Sequence, residues 1–372
     1  MELGGEGQSI SAEDQLYILM QAALYLTSTR GLGAPEAQIC YERAESFCHS
    51  RTRPLLLYSA LMGQWHYSLV TDKLTATMQI AKRIYSLAQE QNNSAQMMGA
   101  SRALGCTSYF SGDFEAAREN AIRGLQIWRS GGVQSHVQEV DPPAVACLCD
   151  KAQSEWHLGE IASYQDTMAE AIALAKELND MHGIAESLFF GACLGHYERN
   201  AAEVERLASD LIELSTRQNF AFWLAGGAVL RGWARSASGD TAEGLSWIED
   251  GIVDWRATGA MLQVPYYLAL KAEALHLADR TSKALEAIRE AETLIERSEE
   301  RWWCAELYRL RGVFLAAMGA QETQIETSFC EAIRTAREQK SASLEKRAEA
   351  TYAEYRRQKA IGSEGRGFRL PL

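Results

Sequence analysis

Small and apolar residues recur along this chain in blocks with helical spacing, separated by short breaks. Residues 102–117 set the pattern. Small and apolar positions run to Gly112, Asp113 follows, and a second block carries Ala117, Ala121 and Gly124. A glycine takes the left-handed backbone that ends a helix, and an aspartate then caps the next one. The same device returns every forty residues. The small position of the first helix falls at Ala152, Ala192, Gly232, Ala272 and Gly312, and the break seven residues later at Gly159, Arg199, Gly239, Asp279 and Gly319. The second helix carries Met168 and Ala171, Ala208 and Leu211, Ile248 and Gly251, then Ile288 and Ala291. The last unit slips by one residue, to Phe329 and Ala332. Upstream the frame is less regular, with Gln64 before Thr71-Asp72 and Tyr25 before Leu32-Gly33.

A small residue, a turn seven positions on and small residues in the partner helix form the tetratricopeptide pattern. The fold expected is therefore all-α: a tetratricopeptide-like α-solenoid of about eight helix pairs. A standard unit has ~34 residues, so each unit here has about six more, or roughly 9 Å of extra helix. The pairs are expected over 12–50, 53–91, 93–129, 142–179, 181–219, 220–259, 262–299 and 301–340. A helix over 343–359 would cap the open end of the stack. The domain reading is a flexible segment 1–11, an array 12–340, a capping helix 341–360 and a disordered basic tail 361–372. One join is longer than the rest. It holds a loop at 130–141 that includes His136 and ends at Asp141-Pro142-Pro143, where Asp141 reads as a helix N-cap.

Composition supports this outline. Only 6 prolines occur, too few for a turn-rich β protein, and 47% hydrophobic against 23% charged residues allows a large core. The net charge of −12 argues against nucleic acid as the main partner. The 8 cysteines include no C-x-x-C pair and read as reduced, buried thiols of a cytoplasmic protein. The start is acidic and glycine-rich, without a basic segment before an apolar run, and the apolar stretches 187–194 and 221–230 are too short to span a membrane. No phosphate loop, dinucleotide fingerprint, H-E-x-x-H or G-x-S-x-G is present. The 7 histidines are dispersed, and His157 and His196 at helix ends read as solvated or capping groups. No enzyme activity, cofactor, metal or catalytic residue is expected.

The functional surface expected is the concave face of the superhelix. Positions −6, −3, +1 and +4 from each small residue share one helical stripe. That stripe holds Tyr58, Trp65, Arg102, Tyr109, Trp156, Phe189, His196, Trp233, Tyr266, His276 and Arg309, together with Glu186, Glu273 and Glu306. Rigid aromatics with a few charges suit a protein or peptide partner. The alternative is that the tryptophans fill the space between units. The adjacent Trp302 and Trp303, read as helical, cannot face the same way, so one is expected to pack and the other to be partly exposed.

Several stretches resemble one bacterial family. Ser298–Gly312, SEERWWCAELYRLRG, is similar to its GERWWEAELYRLKGELLL. Leu230-Arg231-Gly232-Trp233-Ala234 with Trp255–Ala260, Arg30–Glu36, and Asp141–Leu148 after Ser135-His136 resemble further parts of it. The family is the C-terminal tetratricopeptide-like region of class III adenylate/guanylate cyclases and related signal-transduction ATPases. The resemblance covers about 12–359. It implies a non-catalytic regulatory module whose groove binds a partner, among them an ATPase or cyclase module. The cyclase and ATPase domains have no counterpart here, so the chain resembles a separately encoded repeat region. A second reading is a small-molecule sensor, with the 130–141 loop closing a pocket beside Arg102 and Trp156.

Overall fold

The computed structural model describes residues 11–51, 54–71, 73–131, 142–361 and 371–372. Seventeen helices run through these residues. Eight antiparallel pairs follow in order: α1 (Ala12–Arg30) with α2 (Pro35–Arg51), α3 (Pro54–Thr71) with α4 (Leu74–Glu90), α5 (Ser94–Phe110) with α6 (Phe114–Arg129), and α7 (Pro143–His157) with α8 (Ile161–Glu177). Then come α9 (Met181–Tyr197) with α10 (Ala201–Gln218), α11 (Ala221–Ala237) with α12 (Thr241–Ala257), α13 (Val264–Leu277) with α14 (Thr281–Ser298), and α15 (Cys304–Ala317) with α16 (Glu322–Glu338). The last helix is α17 (Ala342–Ala360). The expected all-α solenoid of eight pairs is what the chain forms.

Backbone geometry explains the forty-residue period. Gly112, Gly159, Arg199, Gly239, Asp279 and Gly319 all have positive φ, and each ends the first helix of its pair. Between pairs a second left-handed residue recurs at Asn179, Asn219, Gly259, Glu299 and Lys340. Asp113, Asp180, Asn200 and Asp240 cap the following helices, each side chain accepting from the backbone N–H three residues on. Asp141, expected as such a cap, lies outside the described residues; α7 begins at Pro143 with Pro142 in the cap position.

The small positions bring paired helices close. A Cβ on Gly232 would stand 2.6 Å from the carbonyl oxygen of Gly244, and one on Gly312 would stand 2.8 Å from the Phe329 ring.

The two helices of a pair differ in burial. Every residue of α9 from Ala185 to Tyr197 is buried, whereas α10 buries one face, built on Val204, Leu207, Ala208, Leu211 and Leu214. A helix apolar nearly all round is enclosed on all sides. The first helices are enclosed because the superhelix closes on itself after five pairs. The N–H of Met261 donates to the Val70 carbonyl at 2.7 Å, and that of Arg301 to Phe110 at 2.8 Å. His157 Nδ1 lies 2.9 Å from Ser341 Oγ, and the backbones of Gly33 and Gly259 touch. Side-chain bonds across this seam join residues as far as 225 apart in sequence. The concave face therefore becomes a closed axial interior. Helix α17 packs on α15 and α16 and turns back onto α7.

Candidate binding site

The interior of the superhelix carries the chemistry. Its first part is aromatic. The rings of Tyr109, Phe114, Trp156, His157, Tyr197, Tyr266, Trp302 and Trp303 lie in mutual contact, most of them tilted or edge-on. Rings prefer these arrangements because the edge of one meets the electron-rich face of another. His157 stacks flat on Phe114 at 3.8 Å and, like His196, is fully buried, so the solvated role expected for both is corrected. The cause is the closure: the ends of the inner helices point into the interior. Burial holds the His157 imidazole well below its ordinary pKa, with the Arg347 charge adding to the effect, so it is neutral. Trp302 and Trp303 are both buried, against the expectation that one is exposed. They lie in the turn before α15 rather than on a helix, which frees both indoles to point inward.

The second part is a charge cluster in which Glu273, Glu306 and Arg309 are buried and Arg199 and Arg347 are partly exposed. Arg199, at the left-handed turn after α9, donates from Nη1 to Glu273 Oε2 at 2.5 Å and from Nη2 to Glu306 Oε1 at 2.7 Å. Arg309 holds both oxygens of Glu306 at 2.8 and 2.9 Å. Arg347, from α17, stands 3.4 Å from the same carboxylate, donates to the Tyr197 carbonyl and lies over the Trp156 ring. Trp233 Nε1 donates to Glu273 Oε2 at 2.9 Å. His196 packs Nδ1 against Tyr266 Oη at 2.9 Å and faces Glu273 with Nε2 at 3.6 Å.

Each ionisable group responds to this setting. Burial alone would raise the Glu273 pKa, but Arg199 and His196 overcome it and hold the group down at about 2. Glu306 is held well below the usual carboxylate range by Arg309, Arg347 and Arg199, again against burial. Burial pushes His196 down to about 4 despite the pull of Glu273. Burial also lowers Arg347 to about 10. At neutral pH the cluster therefore holds three guanidinium groups and two carboxylates, with a neutral imidazole. Among the described residues it carries one surplus positive charge.

The structure thus brings together eight of the stripe residues: Tyr109, Trp156, His196, Trp233, Tyr266, Glu273, Glu306 and Arg309. Six lie elsewhere. Trp65 donates to Thr107 and lies under Arg102, which faces Glu186 at 3.7 Å. Tyr58 is buried in the main core. Phe189 belongs to a second aromatic nest with Trp223 and Trp255. His276 is half-buried and bonds Thr281. His136 and its loop lie outside the described residues. The stripe missed Tyr197, which falls one residue past its last position in that helix, and Arg347, which comes from the capping helix. In the sequence pattern Arg199 marks only a helix break. Its spacing gave no sign that its side chain reaches α13 and α15.

Among the described residues no helix is long and apolar enough to cross a membrane, and no three His, Cys, Asp or Glu side chains gather as a metal site.

No family model matches the chain. An uncharacterized protein of Rhizobium meliloti (strain 1021) is 22% identical over 353 residues, covering 94% of this chain. The chain spans about a third of that relative, 34% of its length. Three solved structures share the fold. A Rap protein complexed with competence and sporulation factor is 9% identical with a TM-score of 0.60, covering 94% of this chain and 99% of its own. NprR in complex with its cognate peptide NprX is 10% identical with a TM-score of 0.57, covering 94% and 100%. A signal-transduction ATPase with a tetratricopeptide repeat sensor from Pyrococcus horikoshii is 12% identical with a TM-score of 0.51, covering 96% of this chain and 53% of its own. At these identities the likeness is one of fold: the chain is a tetratricopeptide-like helical repeat protein.

Proposed function

We propose that the chain is a non-catalytic regulatory module of a bacterial signalling system, of the cyclase or signalling-ATPase type, that binds an acidic protein or peptide partner through its axial interior. The observation that carries this reading is the charge cluster. Buried ions are costly unless matched, and removing one partner of such a set leaves an uncompensated charge. Three arginines around two carboxylates leave one guanidinium charge that a ligand carboxylate would match. Arg199 and Arg347 are the partly exposed members of the cluster and the groups a partner can reach, while Trp156, Tyr266 and Trp303 are buried and fixed before binding, so little ordering cost is added. One solved protein of this fold holds its cognate peptide, a second holds competence and sporulation factor, and another joins such repeats to a signalling ATPase. The rest of the long Rhizobium meliloti relative leaves room for such a module.

A displayed peptide library tests the reading. Selection on the full chain is expected to enrich peptides bearing Asp or Glu, with binding at least tenfold weaker to Arg347→Gln. Enrichment with no acidic preference, or binding unchanged by that substitution, contradicts it.

A further inference from the structure

The segment after α17 was expected to be a disordered basic tail. Residues 362–370 lie outside the described residues, whereas Pro371 and Leu372 are placed. The Pro371 carbonyl accepts from Arg309 Nη1 at 2.9 Å. Leu372 is half-buried against the main core. Arg309 itself is about as buried as a side chain can be, at 1% exposure. Its other bonds go to Glu306 and, from the same Nη1, to Thr351 Oγ1 at 3.2 Å.

These contacts place the exposed Pro371 and the half-buried Leu372 beside Arg309 of the axial charge cluster. Thr351 lies nine residues before the end of α17, roughly 14 Å back along its axis. Ten residues of chain reach roughly 33 Å, so the return is well within the length available. An aliphatic residue and a peptide carbonyl, in the absence of any regular secondary structure, are what an extended peptide offers to such a site. The carbonyl is also a weak answer to a guanidinium, because it brings a dipole where the cluster has room for a full charge.

We propose that Pro371–Leu372 is an intramolecular ligand of the axial interior. It occupies, at Arg309, a site that takes an extended peptide presenting a backbone carbonyl and an aliphatic side chain. A partner peptide must displace it to bind there, so the segment acts as a built-in competitor. This rests on the reading of the interior as a peptide site.

The test uses the full chain. The probe is an N-acetylated, C-amidated peptide with the sequence of residues 366–372, so that it brings no terminal charge. A tether of this length supplies an effective concentration of about 1 mM, and an occupied tethered site therefore implies a free-peptide Kd below that. The peptide is titrated to several times that concentration by calorimetry against the native chain and Leu372→Lys, whose own segment is disfavoured by the apolar seat and by the surplus positive charge of the cluster. The expected result is binding to Leu372→Lys with a Kd at least tenfold below that for the native chain. Adding Arg309→Lys, which removes the planar fork, should weaken it by at least tenfold again. Equal binding to the native and Leu372→Lys chains, or no binding to either, overturns the proposal. So does binding to the double variant undiminished while its thermal melt stays cooperative. If Arg309→Lys does not fold, the comparison of native with Leu372→Lys decides alone. Failure here leaves the acidic-peptide selection untouched, since that selection depends on Arg347. Failure of the selection with the tail peptide binding as expected leaves an interior that serves the chain's own segment only.

Discussion

The first helix pair and the second half of the array are built from the same repeat yet held in different ways. Helices α1 and α2 pack in two small clusters, one around Leu16, Ala44, Cys48 and Ala60, the other around Ala23, Ala34, Ala37 and Tyr41. Neither merges with the main core, and Tyr17, Ile18, Tyr25 and Ile39 are exposed. From α9 to α17 one continuous core runs through every pair, and its centre is polar: Arg199 links α13 to α15, and Arg347 links α17 to α9 and α15. Neighbour-only packing is what a linear solenoid provides. Closing the superhelix adds contacts between pairs that are not neighbours: the first pair gains them at its turn, where Gly33 meets Gly259, and the enclosed part gains the charge network as well.

The largest expected effect is at the centre of the enclosed part. Glu306→Ala removes the carboxylate that Arg199, Arg309 and Arg347 share, leaving the buried Arg309 unpaired and facing two partly exposed cations. Breaking a buried pair in this way costs about 3–5 kcal/mol, readable as a lower urea midpoint. The equivalent loss in the first pair, Glu36→Ala against Arg30, breaks an exposed pair and is expected to cost under about 1 kcal/mol.

Next in size is the close approach of α11 and α12. Gly232→Ala places a methyl against the Gly244 backbone and is expected to cost about 1–3 kcal/mol by chemical denaturation. A cost near zero would mean that paired helices slide apart freely, and the contrast between the two regions would lose its packing half.

The third effect is pH dependence. His157 and His196 are held below the imidazole pKa of the unfolded chain, so unfolding takes up protons in acid. Their stabilising contribution is complete above pH 6.5 and is lost as pH falls, for His196 through about 4. Glu300 acts in the opposite sense. Burial raises it to about 7, against hydrogen bonds from Trp302 and the Gln263 N–H, so its contribution is present below 4.5 and lost as pH rises through 7. The urea midpoint should therefore fall between pH 7 and 4.5, and fall further in Glu300→Gln. A midpoint that rises toward pH 4.5 would contradict neutral, buried imidazoles.

The smallest effect belongs to the outer face of the first pair. Tyr25→Ser, at an exposed position, should change stability by less than about 0.5 kcal/mol. Hydrogen exchange sharpens the contrast: amides of α1 and α2 should open at lower free energy than those of α9 and α15.

The repeat was legible in the sequence because a backbone constraint enforces it. The left-handed turn at 159, 199, 239, 279 and 319 recurs whatever residue occupies it. The buried character of the first helices was legible for the same reason as any all-round apolar helix. Closure was not. It arises from a small rotation at each of five joins, and no local pattern records their sum. Hence His157 and Trp303, at helix ends and turns that look solvent-facing in one repeat, are enclosed by a repeat far along the chain. The charge cluster was half legible. Glu273, Glu306 and Arg309 fell on the predicted stripe. Arg199 and Arg347 did not, because one projects from a turn and the other from the last helix.

The central claim is that the interior of the second half is tied by charges reaching between distant pairs. A double-mutant cycle on Arg199→Met and Glu306→Gln measures that tie, since the two residues are 107 positions apart and bond at 2.7 Å. The structure predicts a coupling of at least about 1 kcal/mol between them. Additivity within about 0.3 kcal/mol would show that the cluster holds nothing together.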